Sequence, residues 1–367
     1  MPPSAFVQFN QRLFQRAVVR TLLTLLLAWA AALLCIALKV PLPWMIGPLL
    51  LTAGLTMAGG PTASWTPLRN GGQWVIGGAL GLYFTPQIVS LVGSLWWVMV
   101  LGIVWALALG LVFGAWLHRV HAGAGPFHIA GLSRITTYFS SPIGAASEMT
   151  LMGERHGAST DLIASAHSLR VMLVTLIVPF GFQWAGLHGL DASFPGPRVV
   201  VWPSLALWTV LTGFGCWIML KTKRTNPWFV GALAMSIVLT ANGLSQSALP
   251  PGVINAAQLV IGISLGVRFT PSFVHMAPRW MASVALATVV MIALCGGFAW
   301  GLSHVVDLHW ATLLLGTSPG GVAEMAITAK VLQLGVPMVT AFHVMRLAAV
   351  LLLAEPMYRW WYRERVE

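Results

Sequence analysis

Two glutamates stand at matching places in two short motifs that mix serine, proline and glycine. Glu148 ends the stretch SSPIGAASE at 140–148, and Glu324 ends TSPGGVAE at 317–324. They are two of only nine acidic residues in 367. A carboxyl group removed from water holds its proton more tightly and can exchange it near neutral pH. Both glutamates are therefore predicted as proton or coupling-ion sites; the alternative is a carboxylate that pairs with an arginine and only holds the fold together.

A histidine followed three residues later by an arginine occurs twice. His167 and Arg170 lie in HSLR, and His343 and Arg346 lie in HVMR. This spacing places both side chains on one face of a helix, and the rest of each stretch is apolar, so the polar pairs are expected to point inward. The histidines are predicted to relay protons. The arginines are predicted to bind a carboxylate or phosphate, or to neutralise the glutamates.

The serine, proline and glycine residues before each glutamate are predicted to interrupt a membrane helix. Proline lacks an N–H group, glycine permits a tight turn, and a hydroxyl group can cap the next helix. Such a backbone survives in a bilayer only inside protein or beside a wet cavity, and the helix that follows offers N–H groups to an anion. The predicted substrate-binding residues are Ser141, Pro142, Gly144, Thr317, Ser318, Gly320, Gly321, Arg170 and Arg346.

The composition identifies the chain as an all-α polytopic membrane protein. Hydrophobic residues make up 57% of it, charged residues 8%, and the mean hydropathy is +0.82. Apolar runs reach the length needed to cross a bilayer. Candidate spans are 17–38, 43–58, 73–92, 95–117, 160–182, 199–220, 227–244, 255–275, 280–302 and 336–357. The net charge of +11 is attributed to lipid-facing cytoplasmic loops and not to a nucleic-acid partner.

The two halves of the chain repeat each other. LPWMIGPLLLTAGLT at 42–56 aligns with TNPWFVGALAMSIVLT at 225–240, and VIGGALGLYFTPQIV at 75–89 aligns with VIGISLGVRFTPSFV at 260–274. The proline-glycine motifs and the His-x-x-Arg pairs follow in the same order. Residues 1–195 and 196–367 are therefore predicted to be two membrane repeats, an arrangement common in transporters.

The distribution of basic residues predicts the topology. If both proline-glycine segments enter the membrane and return, the chain crosses about ten times and both termini are cytoplasmic. The basic groups that then fall inside include Arg20, Arg69, Arg119, Lys221, Lys223, Arg224, Arg279 and Arg365. The loops 244–254 and 303–309, which lack Lys and Arg, fall outside. Five crossings per repeat make the second repeat inverted relative to the first.

Nothing in the sequence predicts an enzyme, a metal site or a cofactor. Cys35, Cys216 and Cys295 lie inside apolar runs without CxxC spacing, as expected of packed thiols. The chain contains no Walker loop, dinucleotide fingerprint or nucleophile elbow. The expected partners are the lipid bilayer and a small-molecule or ion substrate, and a homodimer is left open.

Several of these motifs together resemble the AbrB family of bacterial membrane proteins, which shares only its name with a small DNA-binding regulator. The motifs are PWMIGPLL, GLYFTP, SSPIGAASEM, GVRFTP and TSPGGVAEM. The resemblance covers nearly the whole chain. It implies a multi-pass protein of the bacterial inner membrane, related to inverted-repeat carriers, and it implies fold more firmly than function. Members are labelled as transporters or regulators, and some as ammonia monooxygenase.

Three functions are compatible with these features. The first is a secondary transporter of a small solute, favouring an organic anion, driven by protons or cations and binding at a midplane site formed by the two broken segments. The second is a membrane sensor or regulator of gene expression that moves no solute. The third, a membrane metallo-oxygenase, is disfavoured because each His in question is followed by an arginine, and a cation near a metal is unfavourable.

Overall fold

A computed structural model describes residues 3–123, 128–129, 131–187, 189, 199–222, 226–244, 247–271 and 278–363, with side chains from residue 17 to residue 360. Within these ranges the chain forms fifteen helices and no strand. The first eight are α1 Pro3–Ala37, α2 Pro43–Met57, α3 Thr66–Gly81, α4 Pro86–Ser94, α5 Trp96–Ala122, α6 Arg134–Ser140, α7 Ala146–Arg155 and α8 Thr160–Trp184. The remaining seven are α9 Trp202–Lys221, α10 Pro227–Ala241, α11 Pro251–Gly266, α12 Pro278–Ser303, α13 Trp310–Thr317, α14 Val322–Val331 and α15 Val336–Arg363.

Six of the described helices are long and apolar enough to cross a membrane. These segments are Ala17–Ala37 within α1, Trp96–Ala122, Thr160–Trp184, Trp202–Lys221, Pro278–Ser303 and Val336–Trp360. Each matches one of the predicted spans. The helical content and these six segments confirm an all-α polytopic membrane protein.

Four predicted spans differ from simple crossing helices. The predicted spans 43–58, 227–244 and 255–275 are longer than the helices that form there, because α2, α10 and α11 have only 15, 15 and 16 residues. Helices of that length rise about 23 Å, which is less than the ~30 Å hydrocarbon core. The span 73–92 is bent by 85° between α3 and α4. Proline at the first position of α4, capped by Thr85, starts a new helix there.

Some predicted features lie outside the described residues. The boundary between the predicted repeats at 195/196 is one of them. Lys223, Arg224 and Arg365, which entered the topology argument, also lie outside, as do residues 272–275 of the predicted span 255–275 and residues 245–246 of the predicted loop 244–254.

The chain folds as two compact units, and neither is one of the predicted repeats. The first holds Met1–Ile76 and Leu249–Met276, and the second holds Gly77–Ala248 and Ala277–Glu367. Each unit thus takes segments from both halves of the sequence. The duplication itself remains a prediction from the aligned motifs.

In the first unit, α11 packs closely against α2 through two glycines four residues apart. A β-carbon on Gly262 would lie 2.5 Å from the carbonyl oxygen of Met45, and one on Gly266 would lie 2.7 Å from that of Leu49. Both distances are shorter than real contacts, so only glycine allows the two backbones to approach this closely.

The second unit contains the matching contact between the other two aligned segments. A β-carbon on Gly77, near the end of α3, would collide with the carbonyl oxygen of Phe229 in α10. One on Gly81 would lie 2.9 Å from the carbonyl oxygen of Leu233. The glycine pair of each sequence half therefore packs on the Pro-Trp helix of the other half.

Candidate functional site

The first predicted interruption lies between α6 and α7. The helix α6 ends at Ser140, its C-cap is Ser141, and Pro142 follows directly. Gly144 and Ala145 then have φ angles of 107° and 52° before α7 begins. The left-handed conformation costs a non-glycine residue such as Ala145 roughly 1–2 kcal/mol, so packing around this turn must hold it in place.

The second interruption lies between α13 and α14. The helix α13 ends at Thr317 with Ser318 as its C-cap, and Pro319 follows. The next helix starts at Val322 with Gly321 as its N-cap. Both interruptions thus place a serine C-cap immediately before a proline. Ser318 has the extended backbone that a following proline favours, whereas Ser141 keeps helical angles.

Arg170 and His167 on α8 bind the backbone at the end of α6. Arg170 donates from Nη1 to the carbonyl oxygens of Ser141 at 3.1 Å and Pro142 at 2.7 Å, and from Nη2 to that of Ser140. Nε2 of His167 lies 2.9 Å from the carbonyl oxygen of Phe139. Carbonyl groups that α6 leaves unpaired at its C-terminus are satisfied in this way.

Arg346 and His343 on α15 do the same at the end of α13. Arg346 donates from Nη1 to the carbonyl oxygen of Ser318 at 2.6 Å and from Nη2 to that of Gly320 at 2.9 Å. Nε2 of His343 lies 2.9 Å from the carbonyl oxygen of Leu315. The histidine-to-carbonyl bond spans 28 residues at both interruptions, so the two arrangements match in register.

This register also explains why the two motifs differ. Both glutamates stand the same number of residues before their histidine. When the glutamates and histidines are aligned, Pro142 therefore stands one position earlier than Pro319. This shift accounts for the additional residue between Pro142 and Glu148. The proline has moved by one position within an otherwise aligned segment.

The hydroxyl groups of the predicted substrate-binding residues donate hydrogen bonds within their own helices. Ser141 donates to the carbonyl oxygen of Tyr138 at 2.8 Å, Ser318 to that of Leu315 at 2.9 Å, and Thr317 to that of Leu313 at 2.8 Å. All three side chains are buried. In this arrangement their protons are not directed at a substrate.

Both glutamates are the third residue of the helix that follows an interruption. At this position a carboxylate can reach back to the N-cap N–H and complements the helix dipole. In the second segment a β-carbon on Gly321 would collide with Oε2 of Glu324, so that carboxylate lies over its N-cap residue. Glu324 is buried at 8% exposure, whereas Glu148 is only half-buried.

The two interruptions are close together within the second unit. A β-carbon on Gly320 would lie 3.0 Å from Cγ1 of Val174, one turn beyond Arg170 on α8. Helix α15 likewise reaches the first segment, because Tyr138 donates to the carbonyl oxygen of Ala354 at 2.7 Å.

The two arginines are buried charges, and the described part of the chain gives neither of them an acidic partner. Arg170 is 5% exposed and Arg346 is 3% exposed. Among the described residues, the ion pairs within 4.0 Å are those of the Glu355 carboxylate with His156 and with Arg359. Neither buried arginine takes part in an ion pair there. Nε of Arg346 is enclosed and has no hydrogen-bond partner in this part of the chain.

Sequence reasoning missed several residues around the interruptions. Cys295 on α12 donates from Sγ to the carbonyl oxygen of Thr317 at 3.3 Å. Gly114 on α5 lies against the first segment, where an added β-carbon would be 2.7 Å from Oγ of Ser141. Neither has a distinctive motif. Across the described ranges, no three His, Cys, Asp or Glu side chains are grouped as metal ligands.

The fold and these paired interruptions define a polytopic helical membrane protein with a buried polar centre. The family model described as "Transition state regulatory protein AbrB" matches residues 44–362, and the chain therefore belongs to the AbrB family. The "Putative regulator AbrB" of Escherichia coli (strain K12) is 25% identical over 272 residues, which cover 72% of this chain and 76% of that protein. "Uncharacterized protein YhjN" of Bacillus subtilis (strain 168) is 24% identical over 350 residues, 86% of each chain. No solved structure matches.

Proposed function

We propose that the protein is a secondary transporter for a small organic anion, which binds where the two interrupted segments meet. The observation that carries this proposal is the pair of buried guanidinium groups, Arg170 and Arg346, which have no carboxylate partner among the described residues. Burying an unpaired charge is costly. A bound anion would supply the missing opposite charge to both.

Hydrogen bonds to backbone carbonyl groups offset part of that cost, but they do not satisfy every donor of the Arg346 guanidinium group. Arg346 uses its two terminal nitrogens for Ser318, Gly320 and His343, and its enclosed Nε–H has no partner among the residues that the structure describes. Leaving a buried donor without a hydrogen bond costs about 1–3 kcal/mol, and more for a charged group. An anion oxygen at Nε would recover that loss.

The same contacts favour a proton over a metal cation as the coupling ion. The carbonyl groups at the ends of α6 and α13 would suit a sodium ion, but Arg170 and Arg346 already occupy them. Glu324 is buried and belongs to the first turn of α14, so it is the proposed proton carrier. Glu148, being half-buried, is the weaker candidate.

We further propose that the protein lies in the bacterial inner membrane with both termini in the cytoplasm, as the basic residues predict. The two interrupted segments are proposed to enter the membrane and return, with inverted repeats around the site. Neither an enzymatic activity nor a nucleic-acid partner forms part of the proposal.

A second candidate, a membrane sensor that binds the anion but does not move it, is favoured by the name of the Escherichia coli relative. Flux separates the two. Purified protein is first screened by thermal unfolding against metabolite anions and amines, because a ligand that binds the folded state raises its apparent stability. The stabilising anion is then tested for uptake into proteoliposomes. Uptake supports the transporter, binding without uptake supports the sensor, and stabilisation by amines alone overturns the anion site.

A further inference from the structure

An aromatic cluster joins the first interrupted segment to the end of α15 within the second unit. The ring centroid of Tyr358 lies 5.3 Å from that of Tyr138 and 5.5 Å from that of Phe139. It lies 5.4 Å from the ring of His156, which is itself stacked on Phe139 at 6.0 Å. Tyr138 and Phe139 belong to the last turn of α6, and His156 is the C-cap of α7. These four rings therefore hold both helices of the segment against α15.

Polar contacts accompany the rings of this cluster. The Tyr138 hydroxyl donates to the carbonyl oxygen of Ala354 at 2.7 Å. Nε2 of His156 lies 3.7 Å from Oε1 of Glu355, and Arg359 donates to the same oxygen at 2.5 Å. The side chains of His156 and Glu355 are 29% and 33% exposed. Ion pairs as exposed as these contribute little to stability, so the groups can separate and meet again readily.

The cluster is connected directly to both arginines of the proposed site. The carbonyl oxygen of Phe139 lies 2.9 Å from Nε2 of His167, and that of the next residue, Ser140, accepts a hydrogen bond from Arg170. On the other side of the cluster, α15 also carries Arg346. A movement that separates the end of α15 from α6 therefore acts on elements that hold each guanidinium group.

Pro356 gives α15 a place to bend beside the cluster. Proline has no N–H group, so residue 356 cannot donate the helical hydrogen bond to the carbonyl oxygen of Leu352. Sharp bends in helices are commonly found at proline. Tyr358 and Arg359 follow Pro356, whereas Arg346 precedes it. The last turns of α15 can therefore move away from α6 and α7 while the part of the helix that carries Arg346 stays in place.

The aligned positions around the second interruption are apolar. In the register set by the two histidines, the residues that match the three rings of the first segment are Leu314, Leu315 and Leu332. Phe182, which aligns with Tyr358, packs on Trp310 with ring centroids 6.2 Å apart. The two interruptions are therefore held by different contacts, and those at the first include tyrosine and histidine groups that water can solvate once they separate.

We propose that the aromatic cluster is a gate that opens the first interruption to water on the side of the C-terminus, with Pro356 as its hinge. Separation of Tyr358 from Tyr138 and His156 exposes the end of α6, where Ser141 follows. This inference rests on the proposed transporter, for which it supplies the closure on one side of the membrane.

The test follows the reactivity of three thiols in the purified full-length protein in detergent. Ser141→Cys reports the first interruption, and native Cys295, which donates to the carbonyl oxygen of Thr317, reports the second. Native Cys216, buried on α9 of the same unit, reports general unfolding. Cys35 is replaced by serine. Labelling by a water-soluble maleimide is timed by mass spectrometry, and no substrate is needed.

Tyr358→Ala is expected to raise the labelling rate of Ser141→Cys by about tenfold and to leave the other two thiols unchanged, because it removes the aromatic contacts that close the gate. Tyr138→Phe keeps the ring but loses the hydrogen bond to Ala354, so it should raise the rate by only about threefold. Leu352→Ala, at an exposed position of α15, is the matched control and should change none of the rates.

A rise confined to the thiol at position 141 supports the gate. If Tyr358→Ala raises all three rates, Tyr358→Leu repeats the measurement with a smaller change, and a general rise in that variant too reduces the cluster to a contact that stabilises the fold. Unchanged labelling in folded Tyr358→Ala overturns the gate and leaves the anion site standing. Absence of stabilisation by any anion in the thermal screen overturns the transporter, whatever the labelling shows.

Discussion

Arg346 donates a hydrogen bond from Nη2 to Nδ1 of His343, at 2.7 Å. Because Nε2 of the same ring lies 2.9 Å from the carbonyl oxygen of Leu315, the contacts assign the neutral tautomer with its proton on Nε2. The imidazole thus links Arg346 to the end of α13. His167 has the equivalent bond to Phe139, but the structure shows no matching bond between His167 and Arg170.

This difference predicts unequal effects of replacing the two histidines. His343→Leu removes two hydrogen bonds and leaves another donor of buried Arg346 without a partner, which should lower the free energy of unfolding by about 1–3 kcal/mol more than His167→Leu. Thermal unfolding in detergent measures both. His343→Asn, which keeps an acceptor near the position of Nδ1, should recover part of the loss. Equal losses in both leucine variants would contradict the bond between His343 and Arg346.

Replacing either buried arginine with lysine should impair function without preventing membrane insertion. An ammonium group cannot bridge carbonyl oxygens and a carboxylate as a planar guanidinium group does. Arg170→Lys and Arg346→Lys are expected to lose at least about tenfold in anion affinity, measured by thermal shift and uptake. Arg279→Lys, at an exposed position at the start of α12, is the control. Wild-type affinity in both site variants would leave the arginines with a purely structural role.

Close helix packing predicts that a single methyl group at Gly77 destabilises the second unit. A β-carbon there would collide with the carbonyl oxygen of Phe229, whereas one at Gly296 on α12 meets no atom within 4 Å. Gly77→Ala should lower the free energy of unfolding by about 1–3 kcal/mol, the usual cost of overpacking. Gly296→Ala should be neutral or stabilise slightly. Similar melting temperatures for the two variants would show that α3 and α10 do not approach so closely.

The sequence predicted where the helices break, and the structure explains why it could not predict what the arginines bind. Serine, proline and glycine are local signals, so the interruptions at Pro142 and Pro319 follow from neighbouring residues. The inward orientation of His167 and Arg170 followed from their spacing on an apolar helix. Their carbonyl partners lie 28 to 30 residues away, and such a contact depends on how α8 packs against α6. The division into two units depends on long-range packing in the same way.

The positive-inside distribution predicts that both termini face the cytoplasm. Reporter fusions after Glu367 and near Gly189 should report opposite sides of the membrane if the two interrupted segments enter and return. Fusions that report the same side would support twelve crossings instead. A fusion in the loop 303–309, which lacks Lys and Arg, is the outside reference.

Glu324 is expected to be the proton-coupled group, because it is buried and lies over the N-cap of α14, whereas Glu148 is half-buried. Glu324→Gln keeps the size and most hydrogen bonding of the side chain but removes its titration. It should abolish anion uptake driven by an imposed pH gradient and leave exchange at equal pH largely intact, since exchange needs no net proton movement. Glu148→Gln is the matched control at the equivalent position and should affect driven uptake less.

The two assays on Glu324→Gln separate three roles for the carboxylate. Loss of driven uptake alone identifies it as the proton carrier. Retention of both activities would make it a structural cap of α14, in line with its position as the third residue of that helix. Loss of both activities in a folded protein would place it among the groups that bind the substrate. Thermal unfolding of the variant must accompany the assays, because an N-terminal cap contributes about 1 kcal/mol to helix stability, and a small loss of that size leaves the protein folded.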